Sequence, residues 1–211
     1  MADLMHDLKG VTDFVLKVLV GKGRHGMYKS WNEDDRHRFE CLTCKMFPEI
    51  RNSESPLPWR LTKDDLKVVN QRVCSMWWPH YVQRLAKRDC SFFIKSCRAW
   101  KCRDKLVIFL VILPTVLRGF VPAVHQALLA IAYALRRLEG QVVSADEARH
   151  LGVVPGSRVI KKRDVPGIHK DLVRGLVMLE GSVPFSTLKP VLHHIVHYAV
   201  ITARFGSLRL V

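Results

Sequence analysis

The side chains able to do chemistry fall into four groups. Cys41 and Cys44 stand in a Cys-x-x-Cys spacing, and His37 lies four residues before Cys41, on the same face if the segment is helical. Zinc takes four tetrahedral Cys or His ligands, so this set is one short. Cys90, Cys97 or Cys102 could supply the fourth, although their spacings of seven and five form no second knuckle. The other reading is a pair of free thiols. His193, His194 and His197 form the second group, with His193 and His197 one helical turn apart. Zinc peptidases built on such a pair carry Glu directly after the first His as general base. Here that position is His194, so rings that pack or cap are expected instead.

The third group is Trp59, Trp77, Trp78 and Trp100 among Arg60, Lys63, Arg84, Lys87, Arg88, Lys95, Arg98 and Lys101. Aromatics interleaved with cations suit stacking on bases with contacts to phosphates. The same tryptophans could equally be core anchors. The fourth is Lys161-Lys162-Arg163, either a phosphate clamp or a solvated loop. Gly21-x-Gly23-x-x-Gly26 has the spacing of a dinucleotide fingerprint but comes after a helix pattern, not a strand, and reads as a loop. Neither a phosphate-binding loop ending in Lys-Ser or Lys-Thr nor a Gly-x-Ser-x-Gly elbow occurs. No complete catalytic site is expected.

The charge balance narrows the partners. Thirty-four Lys and Arg face nineteen Asp and Glu across 211 residues, a net charge of +15. Both halves carry the excess, so it is no detachable tail. A basic surface attracts polyanions by releasing their counterions, and nucleic acid is the commonest such partner. An unliganded basic surface, an anionic membrane and an acidic protein are the other readings. Asp3, His6 and Asp7 stand where a signal peptide would begin its apolar core. An intracellular chain with its six cysteines reduced is therefore expected.

These groups need elements to hold them. Leu4, Leu8, Val11, Val15 and Leu19 recur every three or four residues and predict a helix over 3–20. A short helix near 31–46 and a loop come next. Thr62 predicts an N-cap, with Asp64 and Asp65 in the first turn of a helix running to about Met76. Trp77-Trp78-Pro79 breaks it, and a further helix is expected to begin near Ala99. The apolar stretch 103–139 predicts two helices joined at 118–122, the first kinked by Pro114. A membrane hairpin at 106–135 is disfavoured: its first apolar run is too short to span and Arg118 interrupts it. Ser144 caps a short helix over 145–151, a flexible loop occupies 152–167, and the last helices lie near 168–181 and 186–204. The fold class is mainly α, a bundle of roughly six to eight helices. The domain reading is an N-terminal helix and polar linker over 1–58, then a helical domain over 59–211.

The order of several short phrases resembles the transposases of CACTA (En/Spm-type) elements. Asp3-Leu-Met-His6-Asp-Leu-x-Gly10-Val is similar to the Asp-x-x-His motif of eukaryotic cut-and-paste transposases. Pro58-Trp59-Arg60-Leu61-Thr62 and Trp100-Lys-x-Arg103-Asp104 resemble phrases that lead into the helical domain of that family. Leu113-Pro114-x-x-Leu117-Arg118-Gly119, the segment 176–184, His193 to His197, and Ala203-Arg204-Phe205-Gly206-Ser207-Leu208 resemble the core and closing helices of that domain. Ser207 replaces the family's usual Pro, and the Trp100 segment lacks its usual His. The resemblance implies the helical insertion and flank of an RNase H-like enzyme, whose three acids bind two divalent metals. It carries over only Asp3 and His6. The chain starts at the motif and stops at Arg209-Leu210-Val211, so the acid-bearing segments are expected to be absent. A transposon-derived, nuclear fragment binding DNA, itself or other transposase segments is then the leading expectation. A helical interaction module without a nucleic-acid role and a membrane-associated hairpin are the others.

Overall fold

The computed structural model describes residues 4–20, 58–76, 101–183 and 190–205. Seven helices and one two-stranded ladder make up the regular structure of these residues. The protein is mainly helical, as the periodicity predicts. The expected helix near 31–46 and the His37, Cys41, Cys44 set lie outside the described residues.

Helix α1 (Leu4–Val20) buries Val11, Val15 and Leu19 of its predicted stripe, but also Thr12, Phe14, Leu16 and Val18. Neighbours on two sides explain the wider burial, because α1 packs against both the helix that begins at Cys102 and the last helix. The backbone N–H of Leu61 donates to the Leu19 carbonyl (3.0 Å), with Trp59 and Leu61 buried beside it.

Helix α2 (Lys63–Ser75) starts where Thr62 predicts. Thr62 Oγ1 accepts from the Asp65 N–H (3.1 Å) while Asp65 accepts from the Thr62 N–H (2.8 Å), a closed capping box. In its first turn, the hydrogen bond and charge of Lys67 hold the Asp64 carboxyl below its ordinary pKa.

The third helix, α3, runs in three segments: Cys102–Val107, a π-helical turn Ile108–Ile112, and Leu113–Val116. It begins three residues later than the expected Ala99, and Asp104 caps it by accepting from the Lys101 N–H (3.2 Å). The irregularity has a cause in Pro114. Proline has no N–H to offer the carbonyl of Leu110, four residues back, and its ring crowds that carbonyl. The orphaned Leu110 oxygen accepts instead from Arg136 Nη2 (2.9 Å), which reaches across from the next helix.

Helix α4 (Pro122–Leu138) and helix α6 (Val165–Ser182) form the centre of the core. Between them lie strand β1 (Gln141–Val142), helix α5 (Ala145–Leu151), capped by Ser144 as expected, and strand β2 (Arg158–Val159). The strands pair antiparallel, Gln141 with Val159. The 152–167 stretch therefore holds a strand, a 3-10 turn at Lys162–Asp164 and the start of α6, not a plain loop. Helix α7 (Pro190–Phe205) closes the bundle on α6 and α1. One apolar cluster runs from Val11 in α1 to Ala199 in α7, so the first helix shares its core with residues 59–199.

Candidate nucleic-acid interface

With so large a basic excess, the informative question is where each cation goes. Several are used inside the bundle. Arg72 Nη1 donates to the carbonyls of Val116 (2.7 Å) and Arg118 (2.6 Å), and its guanidinium lies 4.7 Å from the Phe120 ring centroid. Arg136 holds the Leu110 carbonyl. Lys105 is 2% exposed, with Nζ 2.5 Å from Asp13 Oδ1. Arg137 pairs with Asp171 (2.6 Å), Arg158 with Glu139 (3.3 Å) and Arg149 with Asp146. Arg72 and Arg136 hold backbone carbonyls and Lys105 and Arg137 neutralise carboxylates within the bundle, whereas the Arg149–Asp146 pair lies on its surface.

A second set is left facing solvent. Lys161, just before the 3-10 turn that leads into α6, and Lys162 and Arg163 on it sit exposed. Lys170 and Arg174 come next, on the exposed side of α6 itself. That helix buries Val165, Ile168, Leu172, Leu176 and Leu179, and Lys170 and Arg174 project from the opposite face. Neither has a carboxylate partner among the described residues. Arg163 has only the neighbouring Asp164, at 3.9 Å. From position 163 to position 174 the rise is ~16 Å at 1.5 Å per residue. Such a strip matches about three to five phosphates of one strand.

An exposed aromatic on α4 stands level with one end of the strip. The Arg137–Asp171 ion pair and the packing of Gly175 on Ile131 show that α4 and α6 run antiparallel. Position 133 of α4 is thus level with position 174 of α6. Tyr133 is 62% exposed, the most open aromatic among the described residues, and the Arg137 guanidinium lies over its ring at 5.6 Å.

The sequence nominated a partly different set. Lys161, Lys162 and Arg163 are in the strip. Lys63 and Lys101 are exposed at the starts of α2 and α3, and Arg60 is half-buried. Arg84, Lys87, Arg88, Lys95, Arg98, Trp77, Trp78 and Trp100 lie outside the described residues, and Trp59 is a buried core anchor. Lys170, Arg174 and Tyr133 were missed. The first two were findable, because they stand four apart and opposite the apolar stripe of their helix. Tyr133 was hidden by the apolar run around it.

Asp3 also lies outside the described residues, as does the side chain of His6. The adjacent Asp7 is described. Tyr198 Oη donates to its Oδ2 (2.7 Å), and His194 Nδ1 stands 3.4 Å from its Oδ1. His193 and His197 meet edge to face at 5.0 Å between ring centroids. His194 of α7 is thereby brought to the segment that bears the Asp-x-x-His phrase, and the Asp7 contacts fasten α1 to α7. Among the described residues no three His, Cys, Asp or Glu side chains are grouped to hold a metal ion. No family model, curated protein or solved structure matches the chain.

Proposed function

We propose that the chain is a transposon-derived, helical nucleic-acid-binding protein that holds a sugar-phosphate backbone along the outer face of α6. No catalytic step is assigned to it. The observation that carries the reading is the sorting of cations. Arg72, Lys105, Arg136 and Arg137 are used internally, whereas Lys161, Lys162, Arg163, Lys170 and Arg174 are left together and exposed. Cations arranged as a strip neutralise successive phosphates and release their counterions. The ordered phrases that resemble those of CACTA-type transposases support a DNA-handling origin and a nuclear setting.

The competing reading, a protein-interaction module, calls for a large exposed apolar face on the 106–135 helices. The large apolar side chains exposed there are Val111, Leu129 and Tyr133, and the other large apolar side chains of the stretch, Val107 and Phe120 half-buried among them, are turned toward the core. Among the described residues no helix is long and apolar enough to cross a membrane.

Fluorescence anisotropy with labelled DNA tests the proposal. Affinity should fall as salt rises, with a log–log slope of about −0.7 to −0.9 per phosphate contacted. The double variant K170A/R174A should reduce the size of that slope by about 2. Absence of binding at about 50 mM salt, or an unchanged slope in the double variant, overturns it.

A further inference from the structure

The α6 strip accounts for phosphates but not for Tyr133. Three features of this side chain go beyond an ordinary surface aromatic. It is open to solvent over most of its area. The Arg137 guanidinium lies against its ring, and Arg137 is itself held by Asp171 in a 2.6 Å ion pair, so the ring is backed by a fixed cation. It also stands level with Arg174, at the end of the strip of exposed cations. A π-face beside a line of phosphate-binding cations is the arrangement on which unpaired bases stack. The bases of a duplex are already stacked on one another and present no free face to such a ring. A single strand presents one at every nucleotide.

We infer that Tyr133 is a base-stacking platform and that the α4–α6 face takes single-stranded nucleic acid in preference to duplex. This rests on the proposed nucleic-acid function. In the complex, one base lies on the ring face turned away from Arg137. The backbone runs from Arg174 past Lys170 toward Lys161, Lys162 and Arg163. Arg137 is a positioning residue that holds the ring rather than a contact to the strand.

The test compares four fluorescein-labelled probes of about 20 nucleotides at fixed low salt: oligothymidylate, oligouridylate, an abasic single strand and a duplex. Wild-type protein should bind the oligothymidylate at least about fivefold more tightly than the abasic strand. Y133A should remove that advantage, leaving the abasic strand, the duplex and the salt slope as they were. Y133W should restore it. Oligouridylate against oligothymidylate then tells RNA from DNA as the preferred source. If Y133A binds oligothymidylate like wild type while K170A/R174A loses affinity for every probe, stacking is wrong and the phosphate strip stands. Equal losses on all four probes with Y133A also overturn stacking. If neither variant changes any affinity, the nucleic-acid reading itself fails. Tyr133 is exposed, so the far-ultraviolet circular dichroism of Y133A should match wild type, which separates lost binding from lost fold.

Discussion

Arg72 sets the joint between α2, the end of α3 and the loop into α4. One guanidinium nitrogen donates to the Val116 and Arg118 carbonyls just where the last turn of α3 leaves its oxygens unpaired. The Phe120 ring lies against the same group. Removing it leaves two carbonyls without their donor and one aromatic without its cation. Arg72→Ala should therefore cost about 2–3 kcal/mol. Arg72→Lys should recover less than half of that, because a lysine ammonium lacks the planar guanidinium that lies against Phe120. Urea midpoints at equal slope read both variants, and a Lys variant as stable as wild type would show that charge alone is needed. In the sequence Arg72 is one more cation on a polar helix. Its partners are backbone oxygens 44 and 46 residues away, and nothing in the residue types marks them. The same applies to the Tyr198 hydrogen bond to Asp7, across a separation of 191 residues. Chemistry set by local spacing was readable, and chemistry set by meeting at a distance was not.

Helices were the most legible level. The stripe Val11, Val15, Leu19 and the caps Thr62 and Ser144 each depend on residues within one or two turns, and each is where the pattern puts it. The irregularity in α3 was legible as a kink at Pro114, but the partner of the freed Leu110 carbonyl was not, because Arg136 arrives from α4 to hold it. The close approach of α4 and α6 was not legible either, and it hangs on one missing methyl group. A Cβ on Gly175 would lie 2.7 Å from Ile131 Cγ1 and 3.0 Å from the Ile131 backbone nitrogen. The side chain could turn aside, but the backbone nitrogen cannot without moving the helix. Within a helix, Gly→Ala ordinarily stabilises by about 1 kcal/mol. At Gly175 the overlap should outweigh that gain, giving a net loss of about 1–3 kcal/mol. Gly181, on the exposed side of the same helix, has nothing within 4 Å of a built Cβ. Gly181→Ala should stabilise by about 0.5–1 kcal/mol. Opposite signs for the two substitutions in urea titrations would confirm the close crossing. The same sign at both positions would contradict it.

For the whole molecule the open matter is how the first helix belongs to the rest, since composition alone puts a boundary near residue 58. Apolar burial joins α1 to α3 and α7, but such contacts slide easily. Polar contacts fix its position instead, foremost Asp7 with Tyr198 on α7 and Asp13 with Lys105 on α3. The second is the more demanding. Lys105 is almost fully enclosed, and its backbone carbonyl also accepts from Thr12 Oγ1 (3.3 Å). An ammonium in that position is tolerated because Asp13 meets it, and burying a lone charge is far more costly than burying a matched pair. Asp13→Ala should then cost about 3–5 kcal/mol, although Asp13 is itself only partly buried and would look like a surface position. The loss comes from the stranded lysine and not from a missing attraction. It follows that D13A/K105M, which removes both charges and fills the buried lysine's space with an apolar side chain of similar length, should recover most of the stability and unfold in a single transition at both α1 and α3. If the double variant is no better than D13A alone, the pair is not what seats α1. If α1 melts before the rest while D13A leaves the remaining bundle unchanged, the first helix is an independent unit after all. A single shared transition would place Asp13 and Lys105 among the residues that make one folding unit of the N-terminal helix and the bundle.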